Sequence, residues 1–282
     1  MATSPVSGGV RLPPLVVFTD LDGALLDGIT YSFDAAKEAL DALRVRRVPL
    51  VLVSSKTRAE IEPIRFTLDN HHPFIVENGA ALFIPQRTFT FPLERGAMRG
   101  PYHVIEWGVP YATLRAALKE LEQAFGWHVR GFGDMPAEEV AARTGLSLSE
   151  AHRAKQREYD EAFLMEGPEV DPEDIAKRLG GRGLTCTKGG RFYHLMGDND
   201  KGRACGVLID FYRRQLGEPL TTVALGDSLN DLPMLGIVDR PILVQKPDTS
   251  YGPGVQLPNL VQAPGIGPAG WNQSVLRLMT ES

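Results

Sequence analysis

The sequence predicts an α/β fold, a doubly wound parallel-sheet core with an inserted α+β cap domain, from three observations. Apolar strand patterns alternate with amphipathic helix patterns up to Pro85, the chain then changes character, and the alternation resumes near Lys201. Such alternation favours a parallel sheet with helices on both faces. We therefore predict a discontinuous core of residues 1–85 and 198–282, interrupted by a cap of residues 86–197.

The core elements follow from the spacing of apolar residues and from the residues that end each run. Residues 15–19 are predicted to be an apolar strand, and "VPLVLVSSKT" a second one that ends in hydroxyl groups. The other predicted core elements are helices at 32–47, 57–69, 202–217, 232–238 and 271–280, and strands at 73–77, 80–85 and 221–226. Residues 247–270, rich in Pro and Gly, are predicted to be a loop.

The inserted segment carries a different pattern. Residues 86–110 are rich in Gly, Pro and Arg and show little periodicity, and helix patterns follow them. Ser147 and Glu150 form a capping-box signature at the start of one helix, and Asp171-Pro172 starts another. "EAFLMEG" is predicted to be a strand, and "LTCTKGGRFYHLMG" two strands around a Gly-Gly turn. This mixture predicts an α+β domain.

Composition argues against several classes of protein. The 282 residues are 43% hydrophobic and carry a net charge of −5, which argues against nucleic acid as the main partner. No apolar run approaches the roughly 18 residues of a membrane span, and the opening "MATSPVSGGVRLPP" lacks the features of a signal peptide. The two cysteines form no disulfide framework, which predicts a reducing, cytoplasmic location.

Three predicted strands end in groups suited to phosphate or metal. They are followed by Asp20 and Asp22, by Ser54 and Ser55, and by Asp227 and Asp231. In open α/β sheets ligands bind outside the carboxyl ends of the strands, so we expect these groups to meet in one crevice. Four carboxylates would repel one another strongly without a hard cation, and Mg²⁺ prefers such oxygen ligands. Lys201, at the start of a predicted helix, adds a positive charge for a phosphate.

Each of these motifs alone has a simpler interpretation. An isolated Asp-x-Asp-Gly is more often a turn or a helix cap, and "GDSLND" could combine an Asx-turn with an N-cap. Their joint occurrence, each at a strand end or helix start, favours the functional interpretation. "GIGPAG" matches G-x-G-x-x-G but lies too near the C-terminus for a βαβ unit, and we predict a loop there. His71-His72 is predicted to be a surface turn.

With these residues in order, the chain resembles the haloacid-dehalogenase phosphatase superfamily. "DLDG", Ser54, Lys201 and "GDSLND" match its four motifs, and the insertion resembles the cap of its Cof-type branch. "SSKTRAEI", "FIVENGAAL", "QREYDEAFLM", "KGGRFYHLMGDNDKGRA" and "LGDSLNDLPML" narrow the resemblance to the mannosyl-3-phosphoglycerate phosphatase family, over nearly the whole chain except the leader. The chain departs from that family at Ala24, where a threonine is usual, and at Ala162.

The resemblance implies a mechanism that suits the chemistry of the groups. Asp20 would attack phosphorus to form an aspartyl-phosphate, and Asp22 would protonate the leaving oxygen and then activate water. Ser54, the Ser55 N–H and Lys201 would hold the phosphoryl oxygens. The implied Mg²⁺ ligands are Asp20, the main-chain carbonyl of Asp22, and Asp227, with Asp231 acting in a second layer or through water.

The resemblance also implies a phosphorylated sugar-glycerate as substrate. Arg191, beside a Gly-Gly turn, would bind the glycerate carboxylate through a bidentate pair. The full set of predicted substrate-binding residues is Ser55, Asn78, Arg157, Glu158, Asp160, Lys188, Gly189, Gly190, Arg191, His194 and Asn230. The alternatives are the glucosyl substrate or both sugars, another Cof-type sugar phosphatase, a phosphomutase, and a non-enzymatic phospho-ligand sensor. The sequence leaves the oligomeric state open.

Overall fold

A computed structural model of the chain describes residues 14–189, 192–217, 219–252 and 256–281. Strands and helices alternate from Leu15 to Val76 and from Lys201 to Gln245, as the sequence predicts for the core. The strands are β1 (Leu15–Thr19), β2 (Leu50–Val53), β3 (Phe74–Val76), β4 (Ala81–Pro85), β5 (Ala97–Arg99), β6 (Tyr102–Glu106), β7 (Val129–Gly131), β8 (Asp160–Met165), β9 (Leu184–Gly189), β10 (Phe192–Gly197), β11 (Thr221–Gly226), β12 (Arg240–Gln245) and β13 (Val261–Ile266). The α-helices are α1 (Lys37–Val45), α2 (Arg58–Thr67), α3 (Tyr111–Phe125), α4 (Ala137–Thr144), α5 (Leu148–Ala154), α6 (Pro172–Arg178), α7 (Lys201–Leu216), α8 (Leu232–Leu235) and α9 (Gly267–Glu281).

In the part of the chain that the structure describes, the larger sheet has nine strands in the order β13-β12-β11-β1-β2-β3-β4-β6-β5. The strands from β13 to β3 pair in parallel, so their carboxyl ends share one edge. The strands β4, β6 and β5 continue the sheet in antiparallel pairing. The predicted fold class is confirmed, with an antiparallel extension at one side of the parallel sheet.

Alternating side chains of the buried strands build two apolar layers, one on each face of this sheet. On β1, Val17 points into one layer, whereas Val16 and Phe18 point into the other. Residues of α1, α2 and α9 cover the first layer, and residues of α7 and α8 cover the second. Such two-sided burial is what a parallel strand of continuous apolar residues requires.

The smaller sheet is antiparallel, and its described residues form four strands in the order β7-β8-β10-β9. Leu114 and Leu118 of α3 pack on one apolar cluster of this unit, and Val140 of α4 and Ala151 of α5 lie in another. The capping box of Ser147 and the N-cap of Asp171 are both present, as the sequence predicts. The hairpin of β9 and β10 is also present, although its central residues 190–191 lie outside the described ranges.

The structure differs from the sequence prediction in several elements, among them β12 and β7, which were not predicted as strands. The prediction put residues 86–110 in the cap because they lack periodicity, but β6 pairs with β4 in the larger sheet, and β5 pairs with β6. The stretch 247–270 is not all loop, since it contains β13 and the first turn of α9. The motif "GIGPAG" is the junction between these two elements, where a Cβ at Gly270 would lie 2.0 Å from the Gly265 carbonyl oxygen.

Within the described ranges, no helix is both long enough and apolar enough to cross a membrane.

Candidate active site

The turn after β1 and the loop after β11 meet at the carboxyl edge of the larger sheet. The backbone N–H of Asp20 donates to the carbonyl of Leu225 at 2.9 Å, which fixes Asp20 beside the end of β11. Gly23 has a φ of +79°, and a Cβ there would lie 2.8 Å from Oδ2 of Asp227. Both features favour glycine. The chain thus places the side chains of Asp20 and Asp227 at one point.

Lys201 bridges the two halves of the core from the first residue of α7. Its Nζ lies 2.7 Å from Oδ1 of Asp20 and 2.6 Å from Oδ1 of Asp231, and all three side chains are buried. Burial opposes the charged form of Lys201, but the two carboxylates outweigh it and raise its pKa. A buried, permanently charged ammonium therefore lies beside the predicted nucleophile.

One ammonium does not balance the carboxylates gathered here. One ligand atom from each of Asp20, Asp227 and Asp231 lies within 4.8 Å of the others. Burial raises the pKa of Asp20 well above its usual value, and the neighbouring aspartates add to this effect while Lys201 opposes it. Burial, followed by Asp231, raises the pKa of Asp227 to about 6. This donor set fits a hard divalent cation, which would relieve the repulsion.

Asp231 differs from the other two carboxylates because both its oxygens have protein partners. Oδ1 faces Lys201, and Oδ2 accepts the backbone N–H groups of Asp227 and Ser228, each at 3.0 Å. The loop after β11 is therefore folded around this side chain. These contacts suit a residue that positions Asp227 and Lys201.

The loop after β2 brings hydroxyl groups and a second lysine to the same edge. Ser54 is buried, and its Oγ accepts the backbone N–H of Lys56 at 3.2 Å. The Nζ of Lys56 lies 2.9 Å from Oδ2 of Asp22, while Oδ1 of Asp22 has no hydrogen-bond partner among the described residues. Ala24, in the same turn as Asp22, is fully buried in the apolar core.

A cavity of about 360 Å³ opens between the carboxyl edge and the smaller sheet, and we call it the cleft. Its core side includes Asp22, Ser55 and Lys56, and its cap side includes Arg157 and His194. The other residues that line it are Tyr31, Glu60, Phe132, Thr144, Leu146, Ala154, Ala162 and Phe192. Polar groups of both units thus converge on a space that borders the loop after β2.

A second set of buried polar side chains connects the core to the segment that leads into β8. We call this set, which contains Glu77, Arg157, Asp160 and His194, the hinge cluster. Asp160 is fully buried, and its carboxylate lies 3.2 Å from Nη1 of Arg157 and 3.0 Å from Nδ1 of His194. Burial alone would raise the pKa of Asp160, but His194 and Arg157 outweigh it and hold this pKa below its usual value. Glu77, also fully buried, accepts the backbone N–H groups of Glu158 and Tyr159. Burial raises the pKa of Glu77 to about 8.

Asn78 connects this hinge cluster to the loop after β11. Its side-chain amide donates to Oδ2 of Asp160 at 3.3 Å and accepts from the Asn230 amide at 3.1 Å. Its backbone N–H donates to the carbonyl of Ser54, and its carbonyl accepts from Asn199. Protein partners therefore occupy the polar atoms of Asn78, which suits a connecting role better than the predicted contact with substrate.

The structure does not bring all the predicted substrate-binding residues to the cleft. The carboxylate of Glu158 pairs with Arg99 of β5 at 2.5 Å and lies 3.6 Å from Arg58 of α2. Lys188 pairs with Glu169 at 2.8 Å. Neither Glu158 nor Lys188 is among the residues that line the cleft. Gly189 ends β9, while Gly190 and Arg191 lie outside the described residues, so the role predicted for Arg191 stays a prediction.

Two residues of this region were missed by sequence reasoning. Lys56 follows the two serines of the "SSKT" stretch, so its position at a strand end could have identified it. Glu77 lies in the "FIVENGAAL" stretch but was assigned no role, yet it is fully buried and has a φ of +45°. A non-glycine residue with positive φ is uncommon and often marks a functional or strained position.

Known proteins resemble the chain along most of its length. The haloacid dehalogenase-like hydrolase family matches residues 17–90. A glucosyl-3-phosphoglycerate/mannosyl-3-phosphoglycerate phosphatase of Methanococcoides burtonii is 49% identical over 264 residues, which cover 94% of this chain and 97% of that protein. A mannosyl-3-phosphoglycerate phosphatase of Pyrococcus horikoshii is 38% identical over 229 residues, which cover 81% of this chain and 90% of that protein.

Among solved structures, a phosphatase of the haloalkanoate enzyme superfamily from Bacteroides thetaiotaomicron aligns with a TM-score of 0.62. The two share 17% sequence identity, and the alignment covers 98% of each chain, so this likeness establishes the fold alone. The relative from Methanococcoides burtonii, by contrast, combines high identity with nearly complete coverage. The chain therefore belongs to the glucosyl-3-phosphoglycerate/mannosyl-3-phosphoglycerate phosphatase family of the haloacid dehalogenase-like hydrolases.

Proposed function

We propose that this chain is a Mg²⁺-dependent phosphatase that hydrolyses hexosyl-3-phosphoglycerate to hexosylglycerate and phosphate through an aspartyl-phosphate. The observation that carries the proposal is the position of Asp20, a buried carboxylate at the carboxyl edge, 2.7 Å from a buried ammonium and next to the Ser54 loop. A nucleophile for phosphorus needs neighbouring positive charge, because the transferred group carries several negative oxygens.

The residues divide the reaction into two displacements. A carboxylate oxygen of Asp20 attacks phosphorus, the bond to the leaving oxygen breaks, and Asp22 donates a proton to that oxygen. Asp22 then takes a proton from a water molecule that attacks the aspartyl-phosphate, which returns Asp20 and releases phosphate. Ser54, the Ser55 N–H and Lys201 hold the phosphoryl oxygens through both displacements.

The residues proposed to hold Mg²⁺ are Asp20, the main-chain carbonyl of Asp22, and Asp227, with Asp231 fixing the loop that carries Asp227. When bound, the ion would neutralise charge on the carboxylates and the phosphoryl oxygens. Asp231 is suited to the indirect role because its oxygens are bonded to Lys201 and to two backbone N–H groups.

We propose that the enzyme accepts the glucosyl substrate as well as the mannosyl substrate. The sequence motifs alone favoured the mannosyl substrate, with the glucosyl substrate or both as alternatives. The relative with 49% identity is named for both the glucosyl and the mannosyl substrate, whereas the relative with 38% identity is named for the mannosyl substrate. Two epimers differ at one hydroxyl group, and a site that makes few hydrogen bonds to it accepts both.

The proposal includes a cytoplasmic location and excludes a mere sensor. Both cysteines, Cys186 and Cys205, are free and buried, which suits a reducing compartment. A sensor of phosphorylated ligands would need a binding site but no nucleophile. Here Lys201 lies 2.7 Å from Asp20, and Asp22 is near enough to add to the effect of burial, which raises the pKa of Asp20. That arrangement favours an enzyme.

Phosphate release from a panel of esters tests the proposal. The panel holds mannosyl- and glucosyl-3-phosphoglycerate, hexose 6-phosphates and p-nitrophenyl phosphate, each assayed with Mg²⁺ and with a chelator. We expect kcat/KM for both hexosylphosphoglycerates to exceed that for the other esters by at least about 10-fold, and chelation to abolish turnover. Equal rates on all esters would contradict the substrate assignment, and full activity in the chelator would contradict the need for a metal.

A further inference from the structure

Lys56 is a buried cation to which the proposed chemistry assigns no role. Its side chain is 10% exposed and lies 5.0 Å from the centre of the Tyr31 ring. Its Nζ makes a close ion pair with Asp22 at 2.9 Å, whereas Glu60 lies at 3.9 Å, beyond hydrogen-bond distance. An ammonium has three N–H donors, so this one has donors left for a further anion.

Lys56 faces a cap residue with donors of its own. Lys56 and Arg157 both line the cleft, one from the core and the other from the cap. Nη1 of Arg157 lies 3.5 Å from the Ser55 carbonyl and 3.2 Å from Asp160, while its Nε has no partner among the described residues. The Arg157 side chain is only 6% exposed. A buried guanidinium with an unsatisfied N–H is costly unless a ligand satisfies it.

The position of Asp22 dictates where the rest of the substrate must lie. If Asp22 protonates the leaving oxygen, this oxygen lies within hydrogen-bond distance of the Asp22 carboxylate. Bonds between carbon and oxygen or carbon are about 1.5 Å long, so the glycerate carboxylate lies within about 4–5 Å of that oxygen. The Nζ of Lys56, at 2.9 Å from Asp22, is within reach of this carboxylate.

We propose that Lys56, assisted by Arg157, binds the carboxylate of the glycerate half of the substrate and so selects phosphoglycerate esters. This inference rests on the proposed function, because it places the carboxylate relative to an oxygen that Asp22 protonates. The core and the cap each supply one cation, so the carboxylate is held between the two units. Esters without the carboxylate lose both contacts but keep the phosphoryl site.

Kinetics of the wild type and of selected variants on two esters, one with and one without the carboxylate, test the assignment. The substrates are glucosyl-3-phosphoglycerate and glucosylglycerol 3-phosphate, in which a hydroxymethyl group replaces the carboxylate. The enzymes are the wild type, Lys56→Met, Lys56→Gln as a second variant, and Lys37→Met as the control. Lys37 pairs with Asp34 at the surface and is 62% exposed. Thermal unfolding of each variant checks the fold.

We expect the wild type to prefer the carboxylate-bearing ester by at least about 10-fold in kcat/KM. Lys56→Met and Lys56→Gln should lower kcat/KM on that ester by about 10–100-fold, mainly through a higher KM. On glucosylglycerol 3-phosphate the loss should be less than about threefold. Lys37→Met should leave both values unchanged. Arg157→Lys should produce a smaller loss of the same kind, since an ammonium lacks the planar pair of donors.

Three results would overturn the assignment. Equal losses on both esters would mean that Lys56 only positions Asp22. Unchanged kinetics would mean that the carboxylate lies elsewhere, and Arg191→Ala would then be expected to show the selective loss. A wild type that does not distinguish the two esters would exclude carboxylate recognition altogether. A wild type that hydrolyses neither ester would instead overturn the proposed function, so the two failures are distinguishable.

Discussion

Two clusters of buried carboxylates lie close together in this molecule, and their charges are balanced differently. The acidic site gathers Asp20, Asp227 and Asp231 near the ammonium of Lys201. In the hinge cluster, the carboxylate of Asp160 is surrounded by an arginine, a histidine and an amide. Asp20 and Asp160 are both buried, yet the pKa of Asp20 is raised and that of Asp160 is lowered.

The difference identifies which cluster needs a ligand. Burial raises the pKa of both carboxylates, so the partners decide the outcome. The hydrogen-bond donors around Asp160 keep it ionised without a metal ion, so a metal ion in their place would not stabilise its charge further. The acidic site has more negative charge than Lys201 can offset. A buried carboxylate is therefore a candidate metal ligand only where its protein partners leave charge uncompensated.

The largest expected effect is the loss of turnover on removing the nucleophile. Asp20→Asn keeps the shape of the side chain but cannot form the acyl phosphate, so we expect kcat to fall by at least about 10³-fold. Binding of the substrate, measured by calorimetry with Mg²⁺ present, should persist. Asp34→Asn, a change at an exposed carboxylate, serves as the control. Undiminished turnover in Asp20→Asn would rule out the covalent mechanism.

A smaller effect is expected on the affinity of the protein for Mg²⁺, which a substitution in the acidic site should lower and one in the hinge cluster should not. Asp227→Ala removes a proposed ligand, and we expect the dissociation constant for Mg²⁺, measured by calorimetry, to rise by at least about 10-fold. Asp160→Asn changes an equally buried carboxylate, and we expect the Mg²⁺ affinity to stay within about twofold of the wild type. If both variants lost affinity equally, uncompensated charge would not be what separates the clusters.

The strand-end motifs were predictable because parallel strands bring distant segments to one edge. Asp20, Ser54 and Asp227 each follow an apolar strand, and the sheet topology alone places them together. Most helices were likewise predictable from apolar spacing and caps, as the capping box of Ser147 illustrates. These signals are local in the sequence, so tertiary context was not needed to read them.

Elements that depend on a neighbouring strand could not be predicted. The β13 sequence "VQAPGI" contains Pro264 and Gly265, which strands usually avoid. Among the described strands it pairs only with β12, as an edge strand. The role of Asn78 was equally hidden, because its partners Asp160 and Asn230 are remote in sequence. The sequence also could not show that Glu158 faces the core arginines and not the cleft.

A change in stability, and none in catalysis or metal binding, is expected for Glu77 of the hinge cluster, whose pKa burial raises from 4.5 to about 8, against the opposing charge of Arg157. The folded protein keeps this proton between roughly pH 4.5 and 8 while the unfolded chain releases it, so the contribution of Glu77 to the free energy of unfolding falls as pH rises through this window. Glu77→Gln cannot ionise and removes this contribution, so the wild type should fall more steeply than the variant, by at most about 1.4 kcal/mol per pH unit. Urea denaturation of both proteins in a chelator, from pH 5 to 8, measures the difference, and groups that titrate in both proteins cancel from it. Parallel curves would mean that Glu77 is ionised throughout, with Arg157 and the N–H groups of residues 158–159 compensating its charge as fully as the partners of Asp160 do.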